Sequence, residues 1–270
     1  MERTLPLPQL DSTALQTVVL HLGAAGKGNL PASCSRALHA QVLEWFRLGQ
    51  PEIAQAIHDS QESPISLSGL IGKQPGTTVQ EGDVFYIRLG LLHGSLLVPL
   101  LRGLEQQGQS AFCLAQFPFV IKGIDLLPGT NSWSRSSDYA LLVQTPTVLK
   151  SLTLKFLSPT SFKFNSGHHI QPLPLPEAVF GNLQRRWNAF APATLHFPKR
   201  QWQGLICNYE LKAQMLRIEN SDELGSIGWV TYRFPDPEQA RVAGALAKFA
   251  FFAGVGRKTA MGMGQVVLED

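Results

Sequence analysis

The chain has few of the features that mark secreted, membrane or disulfide-rich proteins. Its 270 residues include only three cysteines, Cys34, Cys113 and Cys207, which are scattered and odd in number. A disulfide framework is therefore not expected, and a reducing cytoplasm is favoured. No signal peptide is recognisable, and no uninterrupted apolar run reaches membrane-spanning length. We expect a soluble, cytoplasmic protein with no membrane partner.

Metal and nucleotide motifs are also missing. The sequence contains no C-x-x-C or H-E-x-x-H spacing and no acidic cluster, so neither a built-in zinc site nor a metal-dependent nuclease is expected. Arg257 separates Gly256 from Lys258, whereas a Walker A loop needs Gly-Lys-Thr in succession. Thr259 stands where a dinucleotide fingerprint would have its third glycine. ATP and NAD are excluded, and no cofactor is predicted.

What the chain does have is glycine, concentrated near its end in "FFAGVGRKTAMGMGQV". Glycine has no Cβ, so such a segment can let a phosphate approach main-chain N–H groups closely. The alternative is a glycine-rich turn that leads into a last strand. Both interpretations involve the same residues, Gly254, Gly256, Arg257, Lys258, Thr259, Gly262 and Gly264.

Positive charge is concentrated in the second half of the chain. Residues 1–147 carry 9 Lys and Arg against 11 Asp and Glu, which gives a net charge of −2, whereas residues 148–270 carry 14 against 9, which gives +5. This asymmetry suits a polyanion that is contacted mainly by the C-terminal half.

The apolar pattern of the first half predicts the order β-α-β-β-α-β. Residues 15–24 alternate and are β-branched, as in a strand. A helix should follow, with Ser33 or Ser35 as its cap, Gly49 at its end, and an apolar stripe built from Leu38, Val42, Trp45 and Phe46. Two strands, a second helix and a further strand complete the pattern, which is that of a ferredoxin-like domain.

The second half repeats this order, from a strand over residues 147–157 to the final strand "GMGQVVLE". The fold class predicted is α+β, with two tandem ferredoxin-like domains and a glycine-rich loop before the last strand. The polar stretch 127–138 and Pro146 bracket the junction. We therefore predict domains at residues 1–145 and 146–270.

These residues carry a resemblance to a known family. The segment "FAFFAGVGRKTAMGMGQV" resembles the glycine-rich signature of CRISPR repeat-processing endoribonucleases, within the repeat-associated mysterious protein superfamily. Further segments match in order, among them "LPASCSRALHAQVLEWF", "GDVFYIRLGLL", "TLKFLSPTSFKF" and "RRWNAFAP". The resemblance implies a metal-independent endoribonuclease that cuts CRISPR precursor RNA within the repeat and needs no DNA. Other CRISPR effector-complex subunits are candidate partners.

Cleavage of RNA without a metal uses the 2′-hydroxyl as nucleophile and needs groups that move protons near neutral pH. His39 lies on the flank of the first helix's apolar stripe, and Arg36 is its neighbour three residues earlier. The family usually places its catalytic histidine in this helix, so the resemblance implies that His39 is catalytic. Arg36, which could hold the scissile phosphate, is its predicted partner, and Ser33, Ser35 or a lysine from the second domain are the alternatives. One RNA fragment would end in a 2′,3′-cyclic phosphate, and the other would begin with a 5′-hydroxyl.

Several alternatives stay open. An unimportant surface histidine is the alternative for His39, and His58 is its rival for the proton transfer. For the adjacent His168 and His169, the two alternatives are a contact with RNA and no role at all. The family often supports its histidine with a tyrosine or a lysine, and neither residue type occurs between Lys27 and Lys73. A catalytically silent RNA-binding subunit on the same fold is the alternative function.

Basic side chains outside the glycine-rich segment are further predicted RNA contacts, with ordinary solvated side chains as the alternative. They are Lys155, Lys163, Arg185 and Arg186.

Overall fold

The computed structural model describes residues 13–144, 151–164, 169–219 and 221–269. Strands and helices alternate in two successive series. The first series contains β1 (Ala14–Ala24), β2 (Gly28–Asn29), α1 (Ser35–Gly49), α2 (Pro51–Asp59), β3 (Ile65–Leu67), β4 (Thr78–Val79), β5 (Val84–Leu91), α3 (Leu97–Gln107), β6 (Phe112–Leu114), β7 (Phe117–Asp125), β8 (Ser136–Asp138) and α4 (Tyr139–Gln144). A short 3-10 helix, Gly94–Leu96, precedes α3.

The second series begins after the undescribed residues 145–150. It contains β9 (Leu152–Thr160), β10 (Phe162–Phe164), β11 (His169–Gln171), α5 (Pro176–Phe190), β12 (Leu205–Ile218), β13 (Ser221–Arg233), α6 (Pro237–Ala253) and β14 (Val266–Glu269). Two further 3-10 helices, Ala193–Leu195 and Thr259–Met261, follow α5 and α6.

Each series forms an antiparallel sheet of ferredoxin-like topology. The first sheet has the order β3-β5-β1-β7-β6, with β8 added to β1, and the second has the order β12-β13-β9-β14. In both sheets the first long strand is central and lies between the third and the fourth strand of the β-α-β-β-α-β unit. The predicted α+β fold with two tandem ferredoxin-like units is confirmed. The predicted boundary between residues 145 and 146 lies outside the described residues and stays a prediction.

The first helix forms where its apolar stripe predicts it. Leu38, Val42, Trp45 and Phe46 are fully buried, and the helix ends at Gly49, where α1 crosses α3. A Cβ on Gly49 would lie 1.8 Å from the Pro99 carbonyl oxygen, so the crossing requires a glycine. The predicted cap is wrong. Cys34 occupies the N-cap position and no side chain caps the helix, whereas Ser35 is already its first residue.

The two halves are joined by buried polar contacts at the end of α6. Arg88 on β5 is 3% exposed, donates to the Gln265 side chain at 2.6 Å and to the Phe251 carbonyl, and stacks 4.0 Å from the centre of the Phe251 ring. Gly90 lets the helix end approach, because a Cβ there would lie 2.1 Å from the Phe252 carbonyl oxygen. These contacts fix α6, and the loop that follows it, against the first sheet.

Candidate functional site

The glycine-rich segment forms a tight loop between α6 and β14. Gly254, Gly256, Gly262 and Gly264 have φ angles of 68°, 86°, 93° and 70°, and Lys258 is also left-handed at 55°. Such angles favour glycine because a Cβ clashes with the backbone in this region. The loop passes through the 3-10 helix Thr259–Met261 before it enters β14.

Packing within the protein explains why these positions are glycine. A Cβ on Gly256 would lie 2.4 Å from the Ser161 carbonyl oxygen, and one on Gly264 would lie 2.0 Å from the Val255 carbonyl oxygen. The Gly256 N–H donates to the Asn182 side chain at 2.8 Å. The sequence predicted that main-chain N–H groups of this segment are open to a phosphate, but the Gly256 N–H is already bonded to α5 and holds the loop.

Gly262 and Thr259 face inward as well. Gly262 forms an isolated parallel bridge with Ser68, which follows β3. Thr259 is 6% exposed, and its side chain lies beside Gly254, where an added Cβ would be 3.1 Å from the Thr259 Cγ2. These residues shape the loop and join it to the first half of the chain.

The two cations of the loop share one carboxylate. Arg257 and Lys258 both form ion pairs with Glu223 on β13, and the Glu223 side chain is 12% exposed. Burial alone would raise the pKa of the Glu223 carboxyl, but the hydrogen bonds and the positive charges of Lys258 and Arg257 together outweigh it and hold the pKa below its usual value. A single carboxylate thus pairs with both cations of the loop.

A groove of about 760 Å³ opens beside this pair. Residues 61–63, which follow α2, form one wall, and α5, the start of β10 and the loop form the other. Seven of the predicted RNA-binding residues line the groove. They are Lys163, Arg185, Arg186, Gly256, Arg257, Lys258 and Thr259.

The two arginines of α5 differ in their surroundings. Arg185 is exposed and forms an ion pair with Glu62. Arg186 is 2% exposed and donates to the backbone carbonyls of Ala253, Gly254 and Ser63. Arg186 therefore ties α5 to the end of α6 and to the other wall, whereas Arg185 is accessible from the groove.

Lys155 lies apart from the groove-lining residues. It points to the solvent side of β9 and forms an ion pair with Glu269 on β14 at 3.0 Å. Of the adjacent histidines, His169 is exposed on β11, and His168 lies outside the described residues.

His39 is half-buried on α1 and close to His58, near the end of α2. Burial lowers the pKa of His39, and the neighbouring His58 lowers it further, because a second positive charge nearby disfavours protonation. The loop residues Thr259–Met261 pack against α1 and β3, so the loop adjoins the helix that carries His39. His58 lies three residues before Gln61, where the groove wall begins.

The β12–β13 hairpin reaches both parts of the site. Glu219, beyond the end of β12, forms an ion pair with Arg36 at 2.7 Å, and Glu223, near the start of β13, holds the loop cations. Nothing in the spacing of the sequence indicates these contacts, because Glu219 and Arg36 are 183 positions apart (219 − 36). The acidic partners are the main feature that sequence reasoning missed.

No helix within residues 13–144, 151–164, 169–219 and 221–269 is both long and apolar enough to cross a membrane. The same residues contain no cluster of three or more His, Cys, Asp or Glu side chains that could hold a metal ion.

Two ferredoxin-like units, a groove lined by basic side chains and a glycine-rich loop, and two neighbouring histidines suit a protein that binds a polyanion and has groups for acid–base chemistry. Comparison with known proteins shows which family the chain resembles. Residues 154–266 match the family model of CRISPR-associated endoribonuclease Cas6. No curated protein sequence matches the chain significantly.

Solved structures of Cas6 proteins match nearly the whole chain. A product complex of a Thermus thermophilus Cas6 has a TM-score of 0.82 at 24% identity, over 95% of this chain and 100% of that one. A product complex of a second Cas6 has a TM-score of 0.74 at 28% identity, over 95% and 100%. A substrate-mimic complex of that second protein has a TM-score of 0.70 at 26% identity, over 96% and 100%. The resemblance to CRISPR repeat-processing endoribonucleases is confirmed.

Proposed function

We propose that the protein is a metal-independent endoribonuclease that cuts CRISPR precursor RNA within the repeat. The observation that carries this proposal is the basic groove, whose glycine-rich loop packs against the helix that carries His39. The Cas6 family match over residues 154–266 and the likeness to RNA complexes of Cas6 proteins support it. Assembly with other CRISPR effector subunits stays a prediction.

His39 suits the role of general base. Its lowered pKa leaves the imidazole neutral at physiological pH, so a ring nitrogen can accept a proton. In the proposed reaction His39 takes the proton of the 2′-hydroxyl, and the 2′-oxygen attacks the adjacent phosphorus. The bond from phosphorus to the 5′-oxygen then breaks. One fragment ends in a 2′,3′-cyclic phosphate and the other begins with a 5′-hydroxyl.

The departing 5′-oxygen needs a proton, and the charge on the phosphate needs a cation. His58 is a neighbouring imidazole and is proposed to donate this proton to the departing oxygen. Arg36 lies one helical turn from His39 and can hold the scissile phosphate once it releases Glu219. We propose His39 as the base, with His58 and Arg36 as its partners.

The remaining predicted residues take two roles in the proposal. Arg257, Lys258, Lys163 and Arg185 contact RNA phosphates from the groove, where they are accessible. Arg186 is buried and already donates to backbone carbonyls, so its proposed role is to position the loop and not to contact RNA. The four loop glycines likewise act through loop shape, because their positive φ angles allow its tight turns. Lys155 contacts RNA only if the substrate extends over the open face of the second sheet.

A cleavage assay tests the proposal. Purified protein is incubated with a repeat-containing RNA, with and without EDTA, and with the same RNA carrying a 2′-deoxyribose just upstream of the cut. We expect cleavage that survives EDTA, is abolished by the deoxyribose, and gives a cyclic phosphate. Loss of activity in EDTA would contradict metal independence, and cleavage of the deoxy substrate would mean that an activated water attacks. Binding without any cleavage would favour the silent RNA-binding subunit.

A further inference from the structure

The outer edge of the second sheet is long and unusually exposed. Strand β12 spans fourteen residues, Leu205–Ile218, and lies at the end of the sheet order, so that among the described residues only β13 pairs with it. Tyr209 is 64% exposed and Met215 is 52% exposed. An open edge presents unpaired backbone N–H and C=O groups and is a template for another strand.

In the middle of β12, the pattern of apolar, polar and charged residues complements itself when the strand is read in the opposite direction. Its residues 208–214 read "NYELKAQ". If the strand pairs antiparallel with a second copy of itself about Leu211, apolar residues meet apolar residues, since Tyr209 lies opposite Ala213 and Leu211 opposite Leu211. On the other face, amide meets amide and acid meets base, in the pairs Asn208 with Gln214 and Glu210 with Lys212.

Charge selects this register over its neighbours. A shift of the two-fold axis by one residue places Glu210 opposite Glu210, or Lys212 opposite Lys212, and like charges directly opposite are destabilising. A pairing between residues of opposite parity would place apolar side chains on the polar face. Within the described part of the chain neither Glu210 nor Lys212 forms an ion pair, although both are exposed.

The two faces of β12 suit this arrangement. Leu211 packs against the core that α5 and α6 cover, whereas Glu210 lies opposite Trp229 and Lys212 opposite Ile227 on the other face of the hairpin. A two-fold axis perpendicular to the sheet keeps each face on its own side. The apolar stripe of one copy would therefore continue into that of the other, and the two ion pairs would lie together on the polar face.

We propose that β12 is a self-complementary interface, through which two copies of this chain pair antiparallel about Leu211 to form one continuous eight-stranded sheet. The occupant of the edge is thus a second copy, because the polarity and charge of the strand complement themselves. This proposal is independent of the nuclease activity and rests on no residue of the groove.

Charge reversal tests the pairing. Sedimentation equilibrium of the wild-type protein, up to about 200 µM because edge interfaces are small and weak, should show a monomer–dimer equilibrium. Glu210→Lys and Lys212→Glu each convert both ion pairs of the dimer into like-charge contacts. Each should raise the dimer dissociation constant by about five-fold or more. The double variant, Glu210→Lys with Lys212→Glu, restores opposite charges and should return the constant to near the wild-type value.

Controls separate pairing from general charge effects. Glu105→Lys makes the same charge change on the exposed face of α3 and should leave the dissociation constant unchanged. Circular dichroism checks that each variant is folded. A wild-type protein that stays monomeric over the whole range overturns the proposal. A double variant that dissociates as readily as the single variants also overturns the proposal, because Glu210 of one copy would then not lie opposite Lys212 of the other.

Discussion

Neutralising Glu223 should strengthen RNA binding, if RNA phosphates take the place of this carboxylate. In the free protein Glu223 holds both Arg257 and Lys258, so a phosphate must first break two ion pairs. Glu223→Gln keeps the size of the side chain and removes its charge. The loop cations are then released for RNA, at the cost of two unpaired charges in the free protein.

The size of the effect follows from the exposure of the three side chains. Arg257 is 18% exposed, Lys258 is 28% exposed and Glu223 is 12% exposed, so the pairs are screened less than surface pairs. We assign each pair the upper part of the usual surface range, about 0.5–1 kcal/mol. Loss of both competing pairs amounts to about 1–2 kcal/mol, or roughly a 5- to 30-fold gain in affinity for RNA.

The measurement is a titration of a non-cleavable deoxy-substituted repeat RNA at several salt concentrations. We expect the gain to be largest at low salt, where the ion pairs of the wild-type protein are strongest. The matched control is Asp222→Asn, which removes a neighbouring charge that faces Arg217 at 3.8 Å. A Glu223→Gln variant that binds more weakly than wild type would refute the reasoning, because Glu223 would then orient the cations for RNA.

The remaining predictions concern the histidines and the loop. His39→Ala should lower the cleavage rate by about two to four orders of magnitude with RNA affinity retained, as single-turnover kinetics and binding titrations would show; a fully active variant would shift the proton transfer to His58. His58→Ala should raise the pKa of His39, because a neighbouring positive charge is lost. The acidic limb of the pH–rate profile, measured on any residual activity, should then move to higher pH. A limb that does not move would exclude His39 as the general base. Arg257→Ala with Lys258→Ala should weaken RNA binding and flatten its salt dependence by about one to two charges, whereas an unchanged slope would make the loop purely structural. Gly256→Ala should lower the free energy of unfolding by about 1–3 kcal/mol, measured by denaturant titration, because φ is 86° and the Cβ meets the Ser161 carbonyl oxygen. The control Gly181→Ala, on α5 in open space, should be neutral or stabilising, and equal losses at both glycines would contradict this account.

Local patterns predicted most of the helices and long strands correctly. The apolar stripe of α1 is buried as expected, and Pro176 begins α5 because a helix's first residue needs no N–H donor. Pro99 is tolerated in the first turn of α3 for the same reason. Short elements such as β8 were missed, since their three residues have no distinct period and depend on pairing with β1.

The candidate site was only partly predictable. The sequence indicated the basic loop and His39, because glycine spacing and helix position are local properties. The acidic partners Glu62, Glu219 and Glu223 were missed, and so was the use of the Gly256 N–H by Asn182. Each of these contacts joins distant parts of the chain, and a local pattern carries no information about such contacts.

The sharing of core residues between the two halves has a consequence for how the protein unfolds. Leu15, Leu92 and Tyr139 belong to the first series of elements but pack in the core of the second, and Ala260 of the loop packs in the core of the first. Neither half therefore completes its own interior. Although the chain repeats one topology, its two copies should melt in a single cooperative transition, and neither should be stable when it is expressed alone.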